Sequence, residues 1–177
     1  MAWTIARWAG LAAVLFWAVG AYSRLKRLRT TVRQAFVALD AQLLRQLELL
    51  QSCLPAAALS ASSTRPADLL DEATQHWLGV RSAALQFTAS LAAARAQPLH
   101  APALAALAQA HAVLEASWHR VAPAGDALLQ QWEGLGLQAR VMAESFNQAV
   151  AHYNAAITQF PALLLARLAG FRAAQPL

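Results

Sequence analysis

Leu28, Val32, Phe36, Leu39, Leu43, Leu47, Leu50 and Leu54 recur along the chain at steps of 4, 4, 3, 4, 4, 3 and 4. Eleven residues to three turns is a period of about 3.67, so the stripe stays on one face of a nearly straight helix. This predicts one long helix that ends near Pro55, because proline lacks the N–H and clashes with the preceding turn. The alanine-rich composition favours further, closely packed helices.

Punctuation divides the rest of the chain. Residues 60–66 (SASSTRP) read as a loop, and Asp68, Asp71 and Glu72 behind it suit the positive end of a helix dipole. A second helix is predicted to run to about Gln97, where Pro98 and Pro102 break the chain on either side of His100. A third covers roughly residues 102–121. A turn at Pro123, Ala124 and Gly125 leads to Asp126 as a candidate N-cap, and the last long helix runs to about Phe160, stopped by Pro161. Four helices on short loops predict an all-α, antiparallel four-helix bundle.

The charge is distributed unevenly. Arg7, Arg24, Lys26, Arg27, Arg29 and Arg33 all precede the first acid, Asp40, whereas the eight later arginines face nine acids. Those six bracket an uncharged run from Trp8 to Ser23, with Trp3, Trp8, Trp17 and Tyr22 near its ends. The pattern predicts an N-terminal transmembrane helix over residues 1–22, continuous with the first helix of a bundle over 23–160 and followed by an amphipathic tail over 161–177. An even number of helices would return that tail to the bilayer. By the positive-inside rule the N-terminus is expected outside and the bundle in the cytoplasm, with Arg24, Lys26, Arg27, Arg29 and Arg33 against lipid headgroups. Membrane lipid, not nucleic acid, is then the expected anionic partner. A cleaved export signal is the alternative, since Ala18, Gly20 and Ala21 are small enough for a cleavage site. The single Cys53 offers no disulfide framework.

Few residues suggest chemistry. His111, Glu115 and His119 lie at i, i+4 and i+8 of the third helix, a spacing that puts metal-ligand types on one face, and Glu72 and His76 repeat the pair. Bundle di-iron sites use Glu-x-x-His on two helices, and this chain has none, so a polar face without a cofactor is the favoured reading. Cys53 sits among leucines with no basic neighbour to activate it. Gly134 and Gly136 fall inside a helical pattern and suggest close helix approach or a local break. Trp77, Trp118 and Trp132 come one per later helix, as core or partner-face residues. No catalytic residue is assigned.

Two segments carry a resemblance. Tyr22 to Phe36 (YSRLKRLRTTVRQAF) with Ala38-Leu39-Asp40-Ala41-Gln42-Leu43-Leu44-Arg45 resembles the opening of LemA family proteins, and Phe146-Asn147 through Tyr153-Asn154 to Phe160-Pro161, then Ala169-Gly170-Phe171, is similar to that family's ending. The middle departs: Glu48 to Leu54 replaces a Pro-Asn step, and Leu135-Gly136-Leu137 follows a retained Glu133-Gly134 where relatives are charged. The resemblance implies a membrane-anchored helical bundle without enzyme activity, some relatives being implicated in membrane organelle formation. The function expected is a non-enzymatic scaffold or partner-binding module at the membrane, with a protein partner or self-association. The alternatives are a metal-binding or enzymatic bundle on His111, Glu115 and His119, or an exported bundle. Asn147 and Asn154, seven apart on one helix face with Tyr153 beside them, are expected to fix register by bonding to Asp40 or Gln42.

Overall fold

The structure, a computed structural model, describes residues 2–55, 71–121, 126–160 and 162–177, without the side chains of 2–6, 9–11 and 13–15. The loop expected at 60–66, Asp68, the turn residues 123–125 and Pro161 lie outside the described residues, as does the side chain of Trp3. Five helices form among the described residues: α1 (Ala2–Cys53), α2 (Glu72–Ala96), α3 (Ala101–Val121), α4 (Asp126–Thr158) and the short α5 (Ala162–Leu168). At 52 residues α1 is a rod of about 78 Å. Asp71 caps α2, its Oδ2 accepting from the Thr74 N–H at 3.4 Å, and hydrogen bonding by Thr74 holds the Asp71 carboxyl below its usual pKa.

Cross-helix contacts fix the topology. Phe36 of α1 meets Phe146 of α4 edge to face at 5.9 Å and Gln46 of α1 lies against Gly136 of α4, while Trp77 and Phe87 of α2 meet Trp118 and His111 of α3, so both pairs run antiparallel. An ion pair of 2.7 Å from Arg95 Nε to Asp40 Oδ1 ties α2 to α1, and Trp118 stacks on Trp132 at 4.4 Å to tie α3 to α4. The core is the sum of the four inward stripes. On α1 these are Leu25, Val32, Phe36, Leu39, Leu43, Leu47 and Leu50, with Leu28 and Leu54 half-buried beside them. Buried Ala83, Ala94, Ala110 and Ala139 on the other helices leave room for the larger side chains opposite. Gly134 and Gly136 do not break α4; at Gly136 an added Cβ would come within 3.6 Å of Gln46 Nε2, and at Gly134 there is open space.

The expected membrane anchor is overturned. Among the described residues no helix is long and apolar enough to cross a membrane. The uncharged stretch between Arg7 and Arg24 makes only about 24 Å of helix, against a hydrocarbon core of about 30 Å. Beyond it Leu25 is buried in the bundle core, and Tyr22 meets Phe171 edge to face at 6.0 Å, whereas Phe16 and Val19 are exposed. The transmembrane fold class, the single-pass topology with the N-terminus outside and the bundle cytoplasmic, the lipid partner and the membrane scaffold are withdrawn with it. The protein partner or self-association attached to that scaffold gains no support from the fold. No break in α1 falls at residue 22, and Ala18, Gly20 and Ala21 lie within unbroken helix. The tail is α5 followed by a non-helical segment that folds back on α4.

Candidate functional site: a basic cleft at one end of the bundle

Three parts of the chain converge where α2 turns into α3. Arg29 and Arg33, one turn apart on α1, stand beside His100 at the start of α3 and Arg172 of the tail, around a cleft of about 290 Å³. Its floor includes Tyr153 of α4, and among the described residues no carboxylate side chain lines it. The turn itself is held by His100 O, which accepts from the Ala103 and Leu104 N–H groups at 3.1 and 3.2 Å and so opens the 21-residue α3. A helix start carries a partial positive charge that adds to the guanidiniums. None of the three arginines has an ion-pair partner among the described residues. Arg29 also lies 6.0 Å from the centroid of the Phe171 ring, which orients it across the mouth. Burial raises the pKa of the Tyr153 phenol, with Arg29 opposing, so the hydroxyl stays protonated and donates to Arg172 O at 3.0 Å.

The remaining basic residues do not line this cleft. Arg24 lines the separate groove beside Phe16 and Phe160; Lys26, on the same side of α1 as Arg29 and Arg33, and Arg27 are exposed. Asp40 pairs with Arg95, and Gln42 accepts from Arg45 of its own helix at 3.4 Å. Asn147 and Asn154 reach neither. Both instead bond the backbone of the tail, at Leu177 and Ala174 respectively. The local spacing of the asparagines was legible, but their partner lies at the far end of a turn that the spacing does not encode.

The three-residue metal alternative fails on geometry. Among the described residues no group of three or more His, Cys, Asp or Glu could hold a metal ion. Residues i and i+8 are about 12 Å apart along a helix, too far for one ion at about 2 Å from each ligand. His111 faces a cavity of about 210 Å³ between α1, α3 and α4, while His119 lines a neighbouring cleft, and Glu115 borders both. His111 Nε2 is 3.1 Å from Oε1 of Gln46, a fully buried residue whose Nε2 has no partner, and 4.0 Å from Glu115 Oε1.

Burial lowers the pKa of His111, Glu115 opposing and Arg140 reinforcing, so the fold holds the ring neutral. A histidine with a lowered folded pKa contributes stability that is complete above the unfolded value, near 6.5, and is lost as the pH falls from there through the folded value. The urea midpoint is therefore expected to be flat above pH 7 and to drop below pH ~6.5 by this linkage. His111→Gln should flatten that drop; a profile identical to that of the unaltered chain would count against the assignment.

Sequence reasoning missed Gln46, His100 and Arg172. Gln46 sits between Leu43 and Leu47 on the apolar stripe, and a polar residue next to a core position was the available signal. Comparison with known proteins finds no family model, no curated protein and no solved structure that matches this chain.

Proposed function

We propose that this chain is a non-enzymatic binding module for a small anion of the phosphate or carboxylate class, taken in the basic cleft. One observation carries the reading: Arg29, Arg33 and Arg172 converge from distant parts of the sequence on the start of α3, in a cleft that among the described residues has no carboxylate side chain and no ion pair of its own. Guanidiniums suit phosphate and carboxylate because their planar N–H fork matches two oxygens at once. They are poor acid–base catalysts, being always protonated, and among the described residues no carboxylate side chain lines the cleft with His100 to make it half of an acid–base pair. The relationship to LemA proteins belongs to the same proposal and rests on the two motif segments alone.

Isothermal titration of the full chain with inorganic phosphate tests the reading. Saturable binding that weakens with added salt is expected, and Arg29→Ala with Arg33→Ala should lower affinity at least about tenfold, since each charge-assisted bond contributes about 1.5–3 kcal/mol. Arg120→Ala, at the opposite end of α3, should leave binding unchanged. Absence of binding, or equal loss in the Arg120 variant, would sink the proposal.

A further inference from the structure

The tail after α5 has a periodicity of its own. Phe171 is half-buried, Ala174 buried and Leu177 half-buried, while Arg172, Ala173, Gln175 and Pro176 are exposed. One inward residue in three, outside any helix, is the repeat of polyproline II, with three residues per turn and about 3.1 Å per residue. A Schellman turn launches the segment: the Phe171 N–H donates to Ala166 O at 2.9 Å and the Gly170 N–H to Arg167 O at 3.3 Å, with Gly170 at a φ of 70°.

What holds it is main-chain recognition. Asn154 Nδ2 donates to Ala174 O at 2.7 Å while its Oδ1 accepts from the Ala174 N–H at 2.9 Å. Asn147 repeats this on Leu177, at 3.1 and 2.8 Å. Tyr153 adds its bond to Arg172 O. Every one of these bonds ends on backbone. The register also matches, since seven residues of helix rise about 10.5 Å and three residues of polyproline II about 9.3 Å. Side-chain requirements fall only on the three inward positions, an aromatic, a small residue and an aliphatic.

We infer that the α4 face carrying Asn147, Tyr153 and Asn154 is a binding site for an extended peptide of the pattern aromatic-x-x-small-x-x-aliphatic, occupied in cis by residues 171–177 of this chain. The inference does not depend on the anion reading. Tethering gives the tail an effective concentration of the order of millimolar, so a free peptide gains access only when the tail is displaced.

The test uses the full chain and a fluorescein-labelled synthetic peptide with the sequence of residues 169–177 (AGFRAAQPL). Ala174→Arg places a long charged side chain at a position only 5% exposed and expels the tail. This variant is expected to bind the peptide saturably by fluorescence anisotropy, at least tenfold more tightly than the unaltered chain. Adding Asn147→Ala and Asn154→Ala should weaken that binding at least tenfold, and an arginine in the peptide at the position of Ala174 should abolish it. Gly170→Val, which strains the turn and displaces the tail by a different route, carries the same expectations and guards against misfolding of the first variant. No saturable binding to a cooperatively melting variant overturns the inference. So does binding indifferent to the asparagines, or binding equal in the unaltered chain.

Discussion

Trp118→Ala is expected to cost about 3–5 kcal/mol of stability, the range for deleting a fully buried aromatic, and to lower the melting temperature by about 6–20 °C at the 2–4 °C per kcal/mol typical of this size. Trp118 has no exposed surface and joins three helices, stacked on Trp132 with an interplanar angle of 19° and meeting Trp77 edge-on at 6.3 Å. Its truncation opens a cavity between α2, α3 and α4 that neighbouring helices cannot collapse to fill. Phenylalanine at this position should behave differently. Trp118 Nε1 is buried without a partner, so Trp118→Phe removes ring area but also an unmet donor, whose burial costs about 1–3 kcal/mol. A loss below about 2 kcal/mol is expected for Trp118→Phe on that balance. Equal destabilisation by the two substitutions, measured by urea denaturation, would show that the orphaned N–H is not a liability.

Phe146→Ala should be comparably severe, about 3–5 kcal/mol, because Phe146 is fully buried where α1 and α4 cross. The edge-to-face geometry with Phe36, an interplanar angle of 66°, adds a pairwise part that burial alone lacks. In a double-mutant cycle of Phe36→Leu and Phe146→Leu, the coupling is expected at about 0.5–1.5 kcal/mol. Coupling within about 0.3 kcal/mol of zero would reduce the pair to two independent buried rings.

These residues also show how much of the fold was legible. The α1 stripe from Val32 to Leu50 was readable because burial against one neighbouring layer imposes a single period, and each member of it is buried. The breaks at Pro55 and Pro98 were readable for the equally local reason that proline cannot continue a helix. The N-terminal run misled because its aromatic ends and basic flank outweighed its length, the uncharged stretch between Arg7 and Arg24 being too short to span a bilayer. Tyr22 and Leu25 look the same whether they face lipid or the far end of their own chain. For the same reason Arg29 and Arg33 read as part of a basic string beside an apolar run, whereas the cleft that gives them a role needs Arg172, far along the sequence, to come back to them. Asn147 and Asn154 were recognised as a pair, yet their partner is a tail whose three-residue repeat competes poorly for notice beside helical periods. Buried Gln46 marks the opposite failure, a polar residue whose neighbours in sequence are all that advertise its position.

The strapped tail lies along the bundle: Phe171 sits beside Tyr22 and Arg29, Arg172 borders the basic cleft, and Leu177 reaches the cavity that His111 faces. One short ribbon thus forms part of the wall of two separate hollows. Peeling it from α4 would reshape both at once, so occupancy of either hollow and attachment of the ribbon are thermodynamically linked.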